Sequence, residues 1–146
     1  MREIIQNRKR KSRVGLIVGG GPAPGVNGVI SAATITAIEN GCEVIGFLDG
    51  FKWLGLGDIE HVRELTIDDV SRIHLSGGSI IRASRSNPTN SKKQLQNVVN
   101  ALMLMDIDYL ISIGGDDTAY TASKLTEQAA GRIKTAHVPK TIDNDL

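Results

Sequence analysis

The stretch Val14-Gly15-Leu16-Ile17-Val18-Gly19-Gly20-Gly21-Pro22-Ala23-Pro24-Gly25-Val26-Asn27 decides the fold. Val14 to Val18 is a short apolar run stopped by three consecutive glycines, the pattern of a buried strand that ends in a tight turn. From Pro24 to Asn40 the apolar residues Val26, Val29, Ile30, Ala33, Ala37 and Ile38 return at every third or fourth position. That spacing predicts an amphipathic helix, stopped by Asn40-Gly41. Glu43 to Phe47 reads as a second strand. Strand, helix and strand in this order make a βαβ unit, whose strands are parallel and whose crossover is right-handed.

The alternation continues outward from this unit. Residues Asp49 to Ile81, punctuated by Gly50, Gly55 and Gly57, read as loop with a minor helix over Ile67 to Leu75. Leu95, Val98, Val99, Leu102 and Met105 give Lys92 to Met105 the period of a second amphipathic helix. Tyr109 to Ile113 is a third strand, ended by Gly114-Gly115. Ala119 to Gly131 is a third helix with Gly131 at its C-cap, and Ile133 to Val138 is a fourth strand. The expected fold class is α/β: an open, mostly parallel, Rossmann-like sheet with helices on both faces. In such sheets ligands bind beyond the carboxyl ends of the strands. The loops at 19–27, 114–118 and 139–145 each follow a strand and are expected to meet on that edge.

Composition narrows the class. With 146 residues, a hydrophobic fraction of 40% and a charged fraction of 23%, the chain suits one soluble domain. We divide it into a basic N-terminal arm, 1–13, and an α/β domain, 14–146. A net charge of +1 and an aromatic content of 3% argue against a nucleic-acid partner. The run Arg8-Lys9-Arg10-Lys11, with Arg2 and Arg13 nearby, reads as a solvated arm in preference to a polybasic membrane anchor. The single cysteine, Cys42, excludes an internal disulfide. No apolar stretch approaches the ~20 residues of a spanning helix and no signal-peptide pattern is present, so a cytoplasmic location is expected.

The three loops hold the chemistry. Gly19 to Gly25 leads from a strand into a helix, where backbone N–H groups and the positive helix end suit an anion, although the loop lacks the GxxxxGK[ST] of a Walker motif and a plain tight turn is the alternative. In Gly114-Gly115-Asp116-Asp117-Thr118, two adjacent carboxylates at a helix start repel one another and call for a cation. Asp116 is a candidate Mg²⁺ contact through waters; either aspartate also suits an N-cap. Pro139-Lys140-Thr141-Ile142-Asp143-Asn144-Asp145 places a cation, a hydroxyl and two carboxylates beyond one strand. Transfer of a phosphoryl group to a hydroxyl needs positioned positive charge, a metal and a carboxylate base, and these loops supply that set. Arg85, in the polar turn Ser84 to Thr89, is either a bidentate phosphate donor or a solvated surface residue. His61, His74, His137 and Cys42 have no metal-ligand spacing and are given structural roles.

Taken together and in order, from about Val14 to Leu146, these loops resemble the phosphofructokinase family. Gly20-Gly21 with Ala23-Pro24-Gly25-Val26-Asn27 is similar to its glycine-rich donor loop, Gly114-Gly115-Asp116-Asp117-Thr118 to its metal and phosphate loop, and Thr141-Ile142-Asp143-Asn144-Asp145 to its TIDND motif. The resemblance implies that Asp143 accepts the proton of the sugar 1-hydroxyl and that Thr141 and Asp145 line the sugar and transferred phosphoryl. It implies Asp116 as the Mg²⁺ contact, and Gly20, Gly21, Arg85, Asp117 and Thr118 at donor-phosphate positions. Asp117 and Lys140 are the marks of pyrophosphate-using members: a carboxylate at 117 occupies the space of an ATP α-phosphate, and a lysine at 140 neutralises charge on the transferred group. The implied substrates are pyrophosphate and fructose 6-phosphate, the implied cofactor is Mg²⁺, and the implied full-length parent is a homo-oligomer. An ATP-dependent 6-phosphofructokinase and a noncatalytic phosphate-binding module are the alternatives. Members of the family continue into a second domain that supplies most of the sugar-phosphate pocket, so the isolated 146-residue chain is expected to be inactive.

Overall fold

The structure, a computed structural model, describes residues 10–141. Strand β1 (Arg13–Val18) leads into α1 (Val26–Glu39) and β2 (Glu43–Phe47). A short helix α2 (Lys52–Gly55), strand β3 (Val62–Glu64) and helix α3 (Ile67–Val70) follow, with 3₁₀ turns at Ile73–Leu75 and Pro88–Asn90. Helix α4 (Lys92–Leu104), β4 (Tyr109–Gly114), α5 (Asp116–Ala129) and β5 (Lys134–Pro139) complete the described chain.

The sheet order is β3-β2-β1-β4-β5, with β1 parallel to both β2 and β4, β4 parallel to β5, and β3 antiparallel on the edge. Alternate residues of the central strands feed two separate cores, as the two-residue period of a strand requires. Leu16 and Val18 join Val26, Ile30, Val70 and Ile81 beneath α1. Ile17 and Leu110 join Val98, Leu102, Leu125 and Ala129 beneath α4 and α5. Both faces are thus covered, and the four expected strands and three main helices are all present. Because β1 proceeds to β2 on one side and β4 to β5 on the other, right-handed crossovers put α1 and α5 on opposite faces. The strand order reverses between β1 and β4, which is where an open α/β sheet leaves a crevice at its carboxyl edge.

Three local readings are corrected. Strand β3 was not visible in sequence: it has three residues, pairs only with β2, and keeps a single hydrophobic residue, Val62. Helix α5 begins at Asp116 and not at Ala119, because Gly115 takes the N-cap position in extended backbone and puts both aspartates in the first helical turn. At its other end the left-handed cap is Ala130, at φ 50°, with Gly131 one residue beyond.

Of the basic segment, residues 1–9 lie outside the described residues; Arg10 and Lys11 are exposed, and Arg10 is at the same time tethered to the domain. Arg10 clamps the Asp108 carboxylate with two nitrogens, at 2.7 and 3.0 Å, and Arg13 N–H donates to the same group at 2.8 Å. Arg13 also pairs with Glu43 at 2.8 Å. These contacts pin the entering chain to the amino ends of β4 and β2. The Arg10 hydrogen bonds, helped by the Arg13 amide, hold the Asp108 carboxyl below its ordinary value against a smaller opposing effect of burial. A lowered folded value means that this stabilisation is complete above the unfolded carboxyl value of about 4 and is lost as pH falls through the folded one. Asp108→Asn is therefore expected to be less stable than the parent in urea at pH 7, with the gap closing in acid; a gap that stays constant from neutral pH to acid would refute the assignment.

Candidate active site

The carboxyl edge is assembled from backbone contacts first. Gly19 N–H donates to Ile113 O and Gly20 N–H to Ser84 O, each at 2.8 Å, so segment 19–20 is stitched to β4 on one side and to residue 84 on the other. The 81–84 segment is held again by Asp49 N–H to Ile81 O and by an Asp49–Arg82 ion pair at 3.0 Å. Gly20 lies at φ +84° and Gly50 at φ +62°; a side chain at Gly50 would press on Val18 O and Ser84. Asn27, buried in the first turn of α1, donates to Ser76 O and Gly77 O and accepts from Ile80 N–H, and so fixes the next stretch of this loop.

At the crevice itself Thr118 fills the space between two glycines. A Cβ on Gly19 would collide with Thr118 Oγ1, and one on Gly114 would lie 2.6 Å from Thr118 Cβ. Thr118 is 6% exposed, and its hydroxyl has no hydrogen-bond partner among the described residues. Lys140 N–H donates to Gly114 O at 2.9 Å, which carries the chain out of β5 alongside the crevice, and Lys140 Nζ reaches back to Gly21 O at 2.6 Å.

These elements enclose an open cavity of about 400 Å³, lined by Gly20, Arg85, Asp116, Asp117, Thr118 and Lys140 among others, a volume within the range of small-molecule sites. Every donor-phosphate or metal residue expected from sequence and present among the described residues thus comes to this edge. Gly21 stands beside it, with Arg85 Nη2 3.6 Å from where its Cβ would be. Arg85, Asp116 and Asp117 have no side-chain ion pair among the described residues, so the cavity wall keeps its charges uncompensated. Thr141 borders a second, smaller crevice with Pro24, Val26 and Val138. Asp143 and Asp145 lie outside the described residues.

One expectation needs revision. Among the N–H groups expected to serve an anion, those of Gly19 and Gly20 are engaged by Ile113 O and Ser84 O, so Gly20 contributes room and curvature and any N–H donors must come from further along the loop. Sequence reasoning also passed over Phe51, Ser84, Ser86, Asn87 and Thr121, which line the same cavity. Ser84, Ser86 and Asn87 adjoin Arg85 in sequence, and that adjacency was the available signal; Phe51 and Thr121 carried none. Two of the histidines make structural contacts: His61 stacks on Trp53 with ring centroids 3.8 Å apart and meets Asp58 at 3.0 Å, and His137 pairs with Ser112 at 2.8 Å, whereas His74 is exposed. Burial lowers the His137 pKa. No group of three metal-ligating side chains occurs among the described residues. No described helix is long and apolar enough to cross a membrane.

The fold and this edge define an α/β protein of the doubly wound class, with a cavity at its topological switch point lined by two cations, two carboxylates and the Thr118 hydroxyl. The chain belongs to the phosphofructokinase family, whose profile, described as Phosphofructokinase, matches residues 13–146. It is 59% identical over 134 residues to the pyrophosphate--fructose 6-phosphate 1-phosphotransferase of Thermotoga maritima, covering 92% of this chain and 32% of that protein. It is 52% identical over 142 residues to the protein of the same name from Naegleria fowleri, covering 97% and 32%. The chain spans about a third of the length of these curated relatives. Its fold superposes on the T-state phosphofructokinase of Pichia pastoris with a TM-score of 0.84 at 27% identity, covering 94% of this chain and 16% of that one.

The Thr118 contact yields a stability test. Gly19→Ala is expected to destabilise the protein by about 1–3 kcal/mol through overpacking. Adding Thr118→Ala should recover part of that loss, because the colliding atoms are gone. Urea unfolding of the two single variants and the double variant measures the coupling, and strict additivity would show that Thr118 is not what excludes a side chain at position 19.

Proposed function

We propose that this chain is the phosphoryl-donor-binding part, residues 14–146, of a pyrophosphate-dependent 6-phosphofructokinase. The reaction moves a phosphoryl group from pyrophosphate to the 1-hydroxyl of fructose 6-phosphate and gives fructose 1,6-bisphosphate and inorganic phosphate. The observation that carries this reading is the meeting of Lys140 with the glycine loop, Nζ to Gly21 O at 2.6 Å, in a cavity that Asp117 also lines. The names of the relatives quoted above point the same way.

The residues present fit Mg²⁺. Asp116 and Asp117 are adjacent, exposed on the cavity wall and hard oxygen donors, and Mg²⁺ is commonly held by one or two carboxylates with waters and substrate phosphates completing its shell. Asp116 is the carboxylate we assign to it. When bound, Mg²⁺ neutralises phosphate charge.

In the proposed reaction Arg85 and Thr118 hold donor oxygens, and Lys140 stabilises negative charge that builds on the transferred group and on the leaving phosphate. Asp143 takes the proton of the sugar hydroxyl as the new P–O bond forms and the bridging P–O bond of pyrophosphate breaks. Thr141 and Asp145 orient the sugar and the transferred group. Asp117 disfavours ATP by placing a carboxylate where the α-phosphate would lie. We further place the full-length protein in the cytoplasm, as a homo-oligomer.

Calorimetric titration of the full-length protein is expected to show binding of Mg-pyrophosphate and exclusion of Mg-ATP, with the exclusion relaxed in Asp117→Gly. Tight Mg-ATP binding by the unaltered protein would overturn the donor assignment. Lys140→Met is expected to lower kcat about a hundredfold while changing the KM for fructose 6-phosphate little. Undiminished turnover in that variant would remove Lys140 from the chemistry.

A further inference from the structure

Asn87 is a cavity residue to which the proposed mechanism gives no role. It precedes the 3₁₀ turn Pro88–Asn90, and its side-chain oxygen caps that turn by accepting the Thr89 N–H at 3.0 Å and the Thr89 hydroxyl. Thr121 Oγ1, on α5, lies 3.4 Å from the same oxygen while donating to Asp117 O at 2.8 Å. A backbone N–H can only donate, so the atom facing Thr89 is the amide oxygen and the side chain's orientation is determined. Its nitrogen is therefore turned away from the turn. That nitrogen has no partner among the described residues, and it is not a buried orphan, a condition met there only by Thr34 Oγ1. Asn87 lines the cavity with Arg85, Asp117 and Thr118. A pre-oriented neutral donor with two free N–H groups thus borders the anion site.

Its position selects which part of an anion it meets. Thr121 lies one helical turn beyond Asp117, about 6 Å further along α5 and away from the crevice where Lys140 sits. We infer that Asn87 is a further donor-site residue, whose amide nitrogen hydrogen-bonds the phosphate of pyrophosphate that is not transferred; this rests on the pyrophosphate reading above. Lys140 and Asn87 then bracket the donor from its two ends. A donor with a chain continuing from that phosphate competes with the Asn87 contact, whereas pyrophosphate ends there.

Asn87→Asp separates this role from capping. Aspartate caps as well as asparagine, so the turn is preserved, but an oxygen bearing negative charge replaces the donor nitrogen. In the full-length protein Asn87→Asp is expected to raise the KM for Mg-pyrophosphate about tenfold to a hundredfold, with the KM for fructose 6-phosphate within about twofold and the Tm unchanged. A KM for Mg-pyrophosphate equal to that of the parent would overturn the inference. Should Asn87→Asp fail to fold, Asn87→Ser, which retains a capping oxygen on a shorter side chain, is expected to raise the same KM at least about threefold, and no change would count against the assignment. A parent enzyme without pyrophosphate turnover would sink the donor reading and this inference with it. A parent active with pyrophosphate beside an unaffected Asn87→Asp would sink this inference alone.

Discussion

Close packing of Thr118 against Gly19 and Gly114 is the constraint on which the rest of the carboxyl edge depends. These glycines end the two strands that flank the reversal of strand order, so any side chain on either would force the strands apart or push α5 off the sheet. With both positions bare, α5 starts directly at the end of β4, and its first turn carries Asp116, Asp117 and Thr118 to the mouth of the crevice. The same close approach leaves Gly114 O free to receive the Lys140 N–H, which sets where the chain leaves β5. Steric exclusion at two backbone positions thus places Asp116, Thr118 and Lys140, the residues to which we assign metal, phosphate and charge stabilisation, relative to one another.

Division of labour between the loops follows from how their backbone groups are used. In a P-loop the glycine-rich turn supplies N–H groups to phosphate. Here the Gly19 and Gly20 N–H groups are consumed in tying β1 to β4 and to Ser84. Positive charge comes instead from Arg85 and Lys140, on two other segments, and the glycines provide the room into which those side chains reach. Hydrogen bonds from Asn27 and Asp49 and the Asp49–Arg82 pair explain why the 76–85 segment, which has little regular structure, still presents Arg85 at a defined place.

The sequence was most legible where burial is two-sided. Val14 to Val18 and Tyr109 to Ile113 are nearly continuous apolar runs because each faces a core on both sides, and α1 and α4 show their period because each buries one stripe. Strand β3 lacks that pressure: it lies at the edge and pairs through main-chain groups that any residue supplies. The start of α5 is hard to place from sequence because its N-cap, Gly115, is a glycine in extended backbone with no capping side chain to mark it. Asn27 is obscure for a related reason: it acts through hydrogen bonds to Ser76, Gly77 and Ile80, distant in sequence, and nothing in its local pattern betrays them.

Charge arrangement links the site's geometry to its chemistry. Lys140 could have been neutralised by a carboxylate, since Asp116 and Asp117 line the same cavity, yet its described partner is the Gly21 carbonyl. A carbonyl dipole orients an ammonium without cancelling its charge, whereas an ion pair would have to be broken each time an anion entered. Arg85 is likewise unpaired among the described residues. Two cations and two carboxylates held apart in one cavity are a poor arrangement for stability, because each forgoes a partner that the others could supply. Such an arrangement makes physical sense where a multiply charged anion and its counter-cation complete the set, with cations meeting the anion and carboxylates meeting the metal. The arrangement therefore suits the ligand we propose, one that brings both signs of charge at once, which is the form that a metal-complexed phosphate takes.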